Sequence, residues 1–289
     1  MDMMIVGCSL MLVAMLVLPG PTSQAARSAL AVWGLEVAPS LFPYMVLCRT
    51  LSARLCERQL PAHQIASVLG LLGGSPSGAA AVASCAEKNG LSRNHILCLA
   101  ALTGTLSPMF LLSTVREWTG DATLCRLLLI SHLLGALFAY TVVRLYTGKP
   151  VVPPLRGAAQ TEASASGNPI VESVQAILSV GGCIVFFSVV ASAMTLLIPG
   201  MGANVSAVLH AVLEIAGGMR SLVKAPMPSD TRAVLMAAAS GFSGLSILSQ
   251  NLLFLKPHGI SMRDLLALAF LRCVGCAAAM ACLINVIPL

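Results

Sequence analysis

The chain has 289 residues, of which 57% are hydrophobic, 10% charged and 4% aromatic. A soluble domain keeps about 25% of its residues charged to wet its surface, so this composition excludes a water-soluble globule and marks an integral membrane protein. The 17 Lys and Arg against 11 Asp and Glu are spread along the chain, which excludes the clustered basic patch of a nucleic-acid binder.

Apolar runs recur over nearly the whole length and are continuous rather than alternating, so the expected class is all-α: a polytopic integral membrane helical bundle, not a barrel and not a soluble domain on one anchor. The 10 cysteines do not imply a disulfide framework. Cys8, Cys98, Cys183, Cys273, Cys276 and Cys282 lie inside apolar stretches, where they read as small buried residues. Cys273-x-x-Cys276 has no second Cys or His pair to complete a zinc site, and no metal or cofactor is expected.

In chain order, the first apolar run is Met4 to Pro19. Ser23-Gln24-Ala25 after it resembles a signal-peptidase site, but Asp2 stands where a secretory signal has basic residues, so a retained first helix is expected. A second stretch, Ala29 to Leu47, holds Pro39 and Pro43 and ends near Arg49, Arg54 and Arg58, which resemble a cytoplasmic anchor.

His63 to Ala86 departs from a simple span. Two apolar halves, Ile65 to Leu72 and Ala79 to Ala86, flank Gly73-Gly74-Ser75-Pro76-Ser77-Gly78. Each half reaches only about 12 Å, against a hydrocarbon layer of roughly 30 Å, which predicts a break inside the membrane. Ser75 and Pro76 fit an N-cap and a first-turn proline for a restarting helix. Ser92 is placed to cap a helix from His95 to Leu102, itself interrupted at Thr103 to Pro108. Leu124 to Tyr146 is a plainer span that holds His132. Trp33 and Trp118 suit aromatic belts, and Arg116, Arg126 and Arg144 suit membrane interfaces.

Composition then shifts to Pro, Gly, Ser, Ala and Thr. The expected organisation is a first transmembrane half, residues 1–146, a polar linker, 147–169, and a second transmembrane half, 170–289, each half with its own gate-like region. In the second half Val174 to Ile198 form a span, Val205 to Met219 a shorter helix, and Ala233 to Ala239 with Leu245 to Leu255 flank a second break at Ser240-Gly241-Phe242-Ser243-Gly244. Leu265 to Ile287 is the last span, and about seven to nine crossings are expected.

The two halves share an order of parts, with Gly73 to Gly78 read as the counterpart of Ser240 to Gly244. Paired interruptions point to the central site of a transporter, because unwound backbone survives at membrane depth only where protein or a watery cavity satisfies it. Close packing at glycine is the structural alternative. The candidate substrate-binding residues are Ser75, Ser77, Gly78, Glu214, Ser243, Gly244, Ser246 and Gln250, with Asn251 beside them. Hydroxyls and helix-restart N–H groups together suit a small polar or anionic solute. Glu214 stands in an apolar run, where an unpaired carboxylate is costly. His210 precedes it by four residues, which on a continuous helix puts both on one face; the pair is the candidate coupling group, or else a structural pin. A serine hydrolase is disfavoured, since Ser75 is not centred in G-x-S-x-G and no separate Asp/His pair accompanies it, so no catalytic residues are assigned.

Six short blocks carry a resemblance: Pro39-Ser40-Leu41-Phe42-Pro43-Tyr44, Gly74-Ser75-Pro76-Ser77-Gly78-Ala79, Ser107-Pro108-Met109-Phe110, Gly181 to Ser188, Leu213 to Gly218, and Gly241 to Ser246 with Gln250. In this order they resemble the YlbJ-type sporulation integral membrane proteins, over about Leu35 to Arg272. The resemblance implies two nucleoside-recognition gate regions, similar to those of concentrative nucleoside transporters, with re-entrant hairpins around a midplane site. It also implies a role in endospore formation, with dipicolinic acid crossing the outer forespore membrane as the proposed cargo. The chain departs from the pattern at Ser75, where Tyr is usual, at Thr103 and Thr105, where Asn is frequent, and at Ser243, where Gly is common. The functional expectation is a transporter in a bacterial cell membrane whose partners are the lipid bilayer and a small-molecule solute. The alternatives are a non-transporting scaffold or assembly factor of sporulation and a nucleoside transporter, and self-association into a homo-oligomer stays open.

Overall fold

The computed structural model describes residues 3–57, 62–148, 168–198 and 200–287. All regular structure among them is helical. Helix α1 (Met3–Val17) is followed by α2 (Pro19–Ala31), a π-helical stretch (Val32–Val37) and α3 (Ala38–Glu57). Pro19 starts α2 where its missing N–H costs nothing. The wider π turn lies just before Pro39 and Pro43, whose rings clash with regular helix geometry. The prolines therefore loosen the helix without ending it, and Pro19–Leu51 runs through as one span of 33 residues.

Next come α4 (Ala62–Gly73), α5 (Ser77–Asn89), α6 (Arg93–Thr103), a π segment (Phe110–Thr114) leading into α7 (Val115–Thr119), and α8 (Ala122–Thr147). Ser92 caps α6, as its position predicts, and Asp121 caps α8. Most of the polar linker, residues 149–167, lies outside the described residues. The second half holds α9 (Pro169–Leu197), α10 (Ala203–Leu213), α11 (Ile215–Lys224), α12 (Ser229–Phe242), α13 (Gly244–Leu255) and α14 (Met262–Ile284). A Ser261–Asp264 capping box starts α14.

Five stretches among the described residues are long and apolar enough to cross a membrane: Pro19–Leu51, Ala122–Thr147, Pro169–Leu197, Ser229–His258 and Met262–Ile284. This is fewer than the seven to nine read from the sequence. Several apolar runs instead fold into short helices that pair with one another. Helices α4 and α5 pack as a hairpin, with Gly70 and Gly78 facing each other, and α10 and α11 do the same, with Gly218 against Ala211. Helices of about 12 residues reach roughly 18 Å and must turn back inside a 30 Å layer.

The order of parts repeats. A long span (α2–α3, α9), a hairpin (α4–α5, α10–α11), an interrupted helix (α6–α7, α12–α13) and a closing span (α8, α14) occur once in each half. The halves interlock reciprocally: α5 packs on α13, and α11 on α7. The true counterpart of Gly73 to Gly78 is thus the α10–α11 turn at Glu214, and the counterpart of Ser240 to Gly244 is Thr103 to Pro108. The sequence pairing matched composition, glycine with serine, whereas the repeat matches topology.

Helices α8, α12 and α14 pack tightly at the centre. Gly135 of α8 meets Gly275 and Cys276 of α14, an approach that only small residues allow. Trp33 is half-buried: its Nε1 donates to the Ile177 carbonyl at 3.1 Å, and its ring lies against Gly181. Trp118 likewise donates to Glu36 and packs edge-on against Phe110.

Candidate functional site: two hairpin tips and two helix breaks

The first hairpin turns at Gly74-Ser75-Pro76. Gly74 has φ +63, and a methyl there would collide with the backbone of Ser107, so the tip needs glycine for both conformation and space. Ser75 N–H donates to the Thr105 carbonyl at 2.8 Å, pinning the tip to the first break. Ser75 does not cap the next helix. Helix α5 starts later than the sequence suggests, at Ser77, with Pro76 in the N-cap position and no side-chain cap. The hydroxyls of Ser75 and Ser77 consequently have no hydrogen-bond partner in the protein.

The second hairpin turns at Glu214 alone. Its backbone is extended (φ −141, ψ 120), which ends α10 and starts α11. Its carboxylate caps α11, Oε1 accepting from Ala216 N at 2.7 Å and Oε2 from Gly217 N at 2.6 Å. This changes the expected His210–Glu214 geometry. Because the helix stops at Glu214, the two side chains do not share a helix face, and His210 Nε2 lies 3.4 Å from Thr195 Oγ1 instead. The Ala216 and Gly217 N–H groups, which the sequence offers to an anion, are occupied by the protein's own carboxylate. With Glu214 only 2% exposed, those two bonds and the dipole of α11 are what make its burial tolerable.

The first break, Gly104 to Ser107, lies beside the first tip. The second is a single left-handed residue, Ser243 (φ 69), followed by Gly244 (φ 75). Ser243 Oγ donates to the Ser240 carbonyl at 3.0 Å, so its hydroxyl serves the turn and it does not line the central cavity. A side chain at Gly244 would press on the Ile215 amide, which brings the second break against the second tip. Gly78 packs against the Thr103 carbonyl and Gly70, a helix-crossing position.

The two tips and two breaks converge on one small cavity of about 40 Å³. Ser75 of the first tip, Ser107 of the first break, Glu214 of the second tip, and Ser246 and Gln250 of α13 just after the second break supply polar groups to it, while Val37, Leu41, Phe110, Val180, Ile184 and Ile247 supply apolar walls. Around it the buried Oγ1 of Thr105, Oε1 of Gln250 and Oδ1 of Asn251 have no protein hydrogen-bond partner, as is true of Ser75 and Ser77. Unpaired buried polar atoms are uncommon in natural cores, and two of these residues, Ser75 and Gln250, line the cavity itself. At about 40 Å³ the space takes a few waters as it stands; its hydroxyls, amides and one carboxylate between apolar walls suit a larger polar solute only with the tips moved apart.

Two charged residues escaped the sequence reading. Arg272 of α14 is 2% exposed, and its Nε donates to the Gly241 carbonyl at 3.2 Å. Its Nη1 and the Nδ2 of Asn251 both lie beside Gly104, so it ties the second break to the first. Glu36, inside the first span, pairs through Oε1 with Arg220 Nη1 of α11 at 3.3 Å and accepts from Trp118 Nε1. Each is a lone charge in an apolar run, the same signal that marked Glu214. His132, noted only as a helical histidine, places Nδ1 3.3 Å from Ser240 Oγ.

The chain is similar to the sporulation integral membrane protein YlbJ of Bacillus subtilis (strain 168), at 25% identity over 286 aligned residues covering 80% of this chain and 70% of that protein. No family model matches the chain, and no solved structure does.

Proposed function

We propose that the protein is a membrane transporter that binds a small polar solute where the two hairpin tips meet the two helix breaks. The observation that carries this reading is the convergence of four backbone interruptions on one cavity whose Ser75 and Gln250 atoms lack protein partners. A scaffold would have no need to break helices at membrane depth, where each freed backbone group is costly. Hydrolysis gains no support from the geometry: neither Ser75 nor Ser77 is hydrogen-bonded to a base, and serine nucleophiles need one.

The kinship with a sporulation protein supports a role in endospore formation, and dipicolinate or a nucleoside is the cargo to test first. Purified protein in liposomes should take up one of them saturably, and Glu214→Gln and Ser246→Ala should each lower that uptake with the protein still folded. Absence of saturable flux for both solutes, or full flux in both variants, would overturn the proposal. Full function of these variants in a sporulating host, with loss only on altering lipid-facing helix surfaces, would favour the scaffold.

A further inference from the structure

A second cavity, of about 390 Å³, lies between α2, α9 and the second hairpin. Its mouth is set by Pro21 at the start of α2 and Leu196 at the end of α9, and its floor by Val32, Ile184 and Glu214. From Pro21 to Val32, or from Leu196 to Ile184, the helices rise roughly 16–18 Å, about half of a 30 Å hydrocarbon layer. The cavity therefore runs from one end of the bundle to the depth of the central site. The two cavities share two lining residues, Glu214 and Ile184, both buried.

The lining tells which solvent this space suits. Gln24, Ser28, Ser188, Ser192 and His210 face it, with Glu214 at its inner end. The opposite faces of α2 and α9 form, with Met15 of α1, a groove lined by Leu30, Val185 and Phe186, an apolar surface of the kind that lipid covers. The same two helices thus present a polar side to the cavity and an apolar side away from it, a division that a lipid-filled space would not require. Arg220 also lines the cavity, and its pairing with Glu36 fastens α11 to the first span.

Building on the transporter reading, we infer that this cavity is the aqueous port through which the central site is loaded, and that the tip of the second hairpin, held by Glu36 and Arg220, is its gate. Solute descends past His210 and Ser192 and reaches the central cavity when the tip carrying Glu214 moves away from Ile184. The first hairpin, buttressed by the Thr105 carbonyl, stays in place.

The test reads access rather than transport. Ser246→Cys marks the central cavity and Ser192→Cys the port, in the full chain in liposomes, with modification by a small polar maleimide followed peptide by peptide by mass spectrometry. Ser192→Cys should react readily and Ser246→Cys slowly. Adding Glu36→Gln should speed Ser246→Cys by about threefold, as loss of a partly exposed ion pair allows, and leave Ser192→Cys unchanged. In the double-cysteine protein, first filling the port at Ser192→Cys with a bulky maleimide should slow Ser246→Cys by about tenfold, since a polar reagent crosses hydrocarbon poorly. Where Ser192→Cys does not fold, Ser188→Cys serves as the port residue. An inert port cysteine, an unreactive Ser246→Cys in the Glu36→Gln background, or a Ser246→Cys rate indifferent to the filled port overturns the inference. Port-dependent access without flux of any solute would sink the transporter reading and leave the port standing; flux with port-independent access would do the reverse.

Discussion

The two hairpins occupy equivalent places in the repeat and solve the same problem in different ways. The α4–α5 tip is uncharged and rests on the neighbouring break through one backbone bond, Ser75 N to Thr105 O, which leaves its hydroxyls unpartnered. The α10–α11 tip carries a carboxylate whose oxygens are taken up by the helix it starts, and its second arm is held from outside by Glu36. A tip braced by backbone has side chains free to meet a guest. A tip braced by its own side chain and one ion pair has a hold that can be released.

The largest effect should come from removing the brace of the first tip. Gly74→Val adds a β-branched side chain at φ +63 against the Ser107 backbone, and a loss of about 3 kcal/mol or more is expected. Thermal unfolding in detergent should show it as a large fall in Tm; an unchanged Tm would mean the tip is not held there.

Next is the brace of the second tip. Glu214→Ala strips the cap from α11 and should cost about 1–2 kcal/mol, whereas Glu214→Gln keeps one of the two acceptors and should lose about half of that. Equal losses would show that charge rather than capping holds this turn.

Smaller again, Ser75→Ala and Ser77→Ala should shift stability by less than about 0.5 kcal/mol, because no protein bond is lost, while Ser243→Ala, which loses the bond to the Ser240 carbonyl, should cost about 1 kcal/mol. A reversal of that order would remove the distinction between a tip with free hydroxyls and a break with engaged ones. Glu36→Gln should likewise cost little, no more than about 0.5 kcal/mol in stability, so that any change in access to the central cavity would stand out against an almost unchanged fold.

Much of the architecture can be read from local chemistry. Apolar runs of 26 and 29 residues, in α8 and α9, can only be spans. Halves of about 12 Å separated by glycine, serine and proline predict a break, and α4 and α5 are separate short helices on either side of it. Glu214, alone in an apolar run, announces a special place. The same rule applied evenly would have flagged Glu36 and Arg272, whose roles depend on Arg220 and on the Gly241 carbonyl, far from either in sequence. The helix stop at Glu214 carries no glycine or proline at the turn, so periodicity ran straight through it and put His210 on its face.

What the chain determined by itself is where backbone can leave the helix: composition set the solvent, and Gly74, Pro76 and Gly244 set the points at which regular hydrogen bonding gives way. Tertiary structure decided which interruptions are hairpin turns and which are kinks, because that choice depends on whether the following helix packs back on its predecessor or continues past it, and so on surfaces such as Gly218 against Ala211 that meet only after folding. It also decided which polar groups stay free, since a hydroxyl's partner is fixed by the neighbour that packing brings to it and not by its place in the chain.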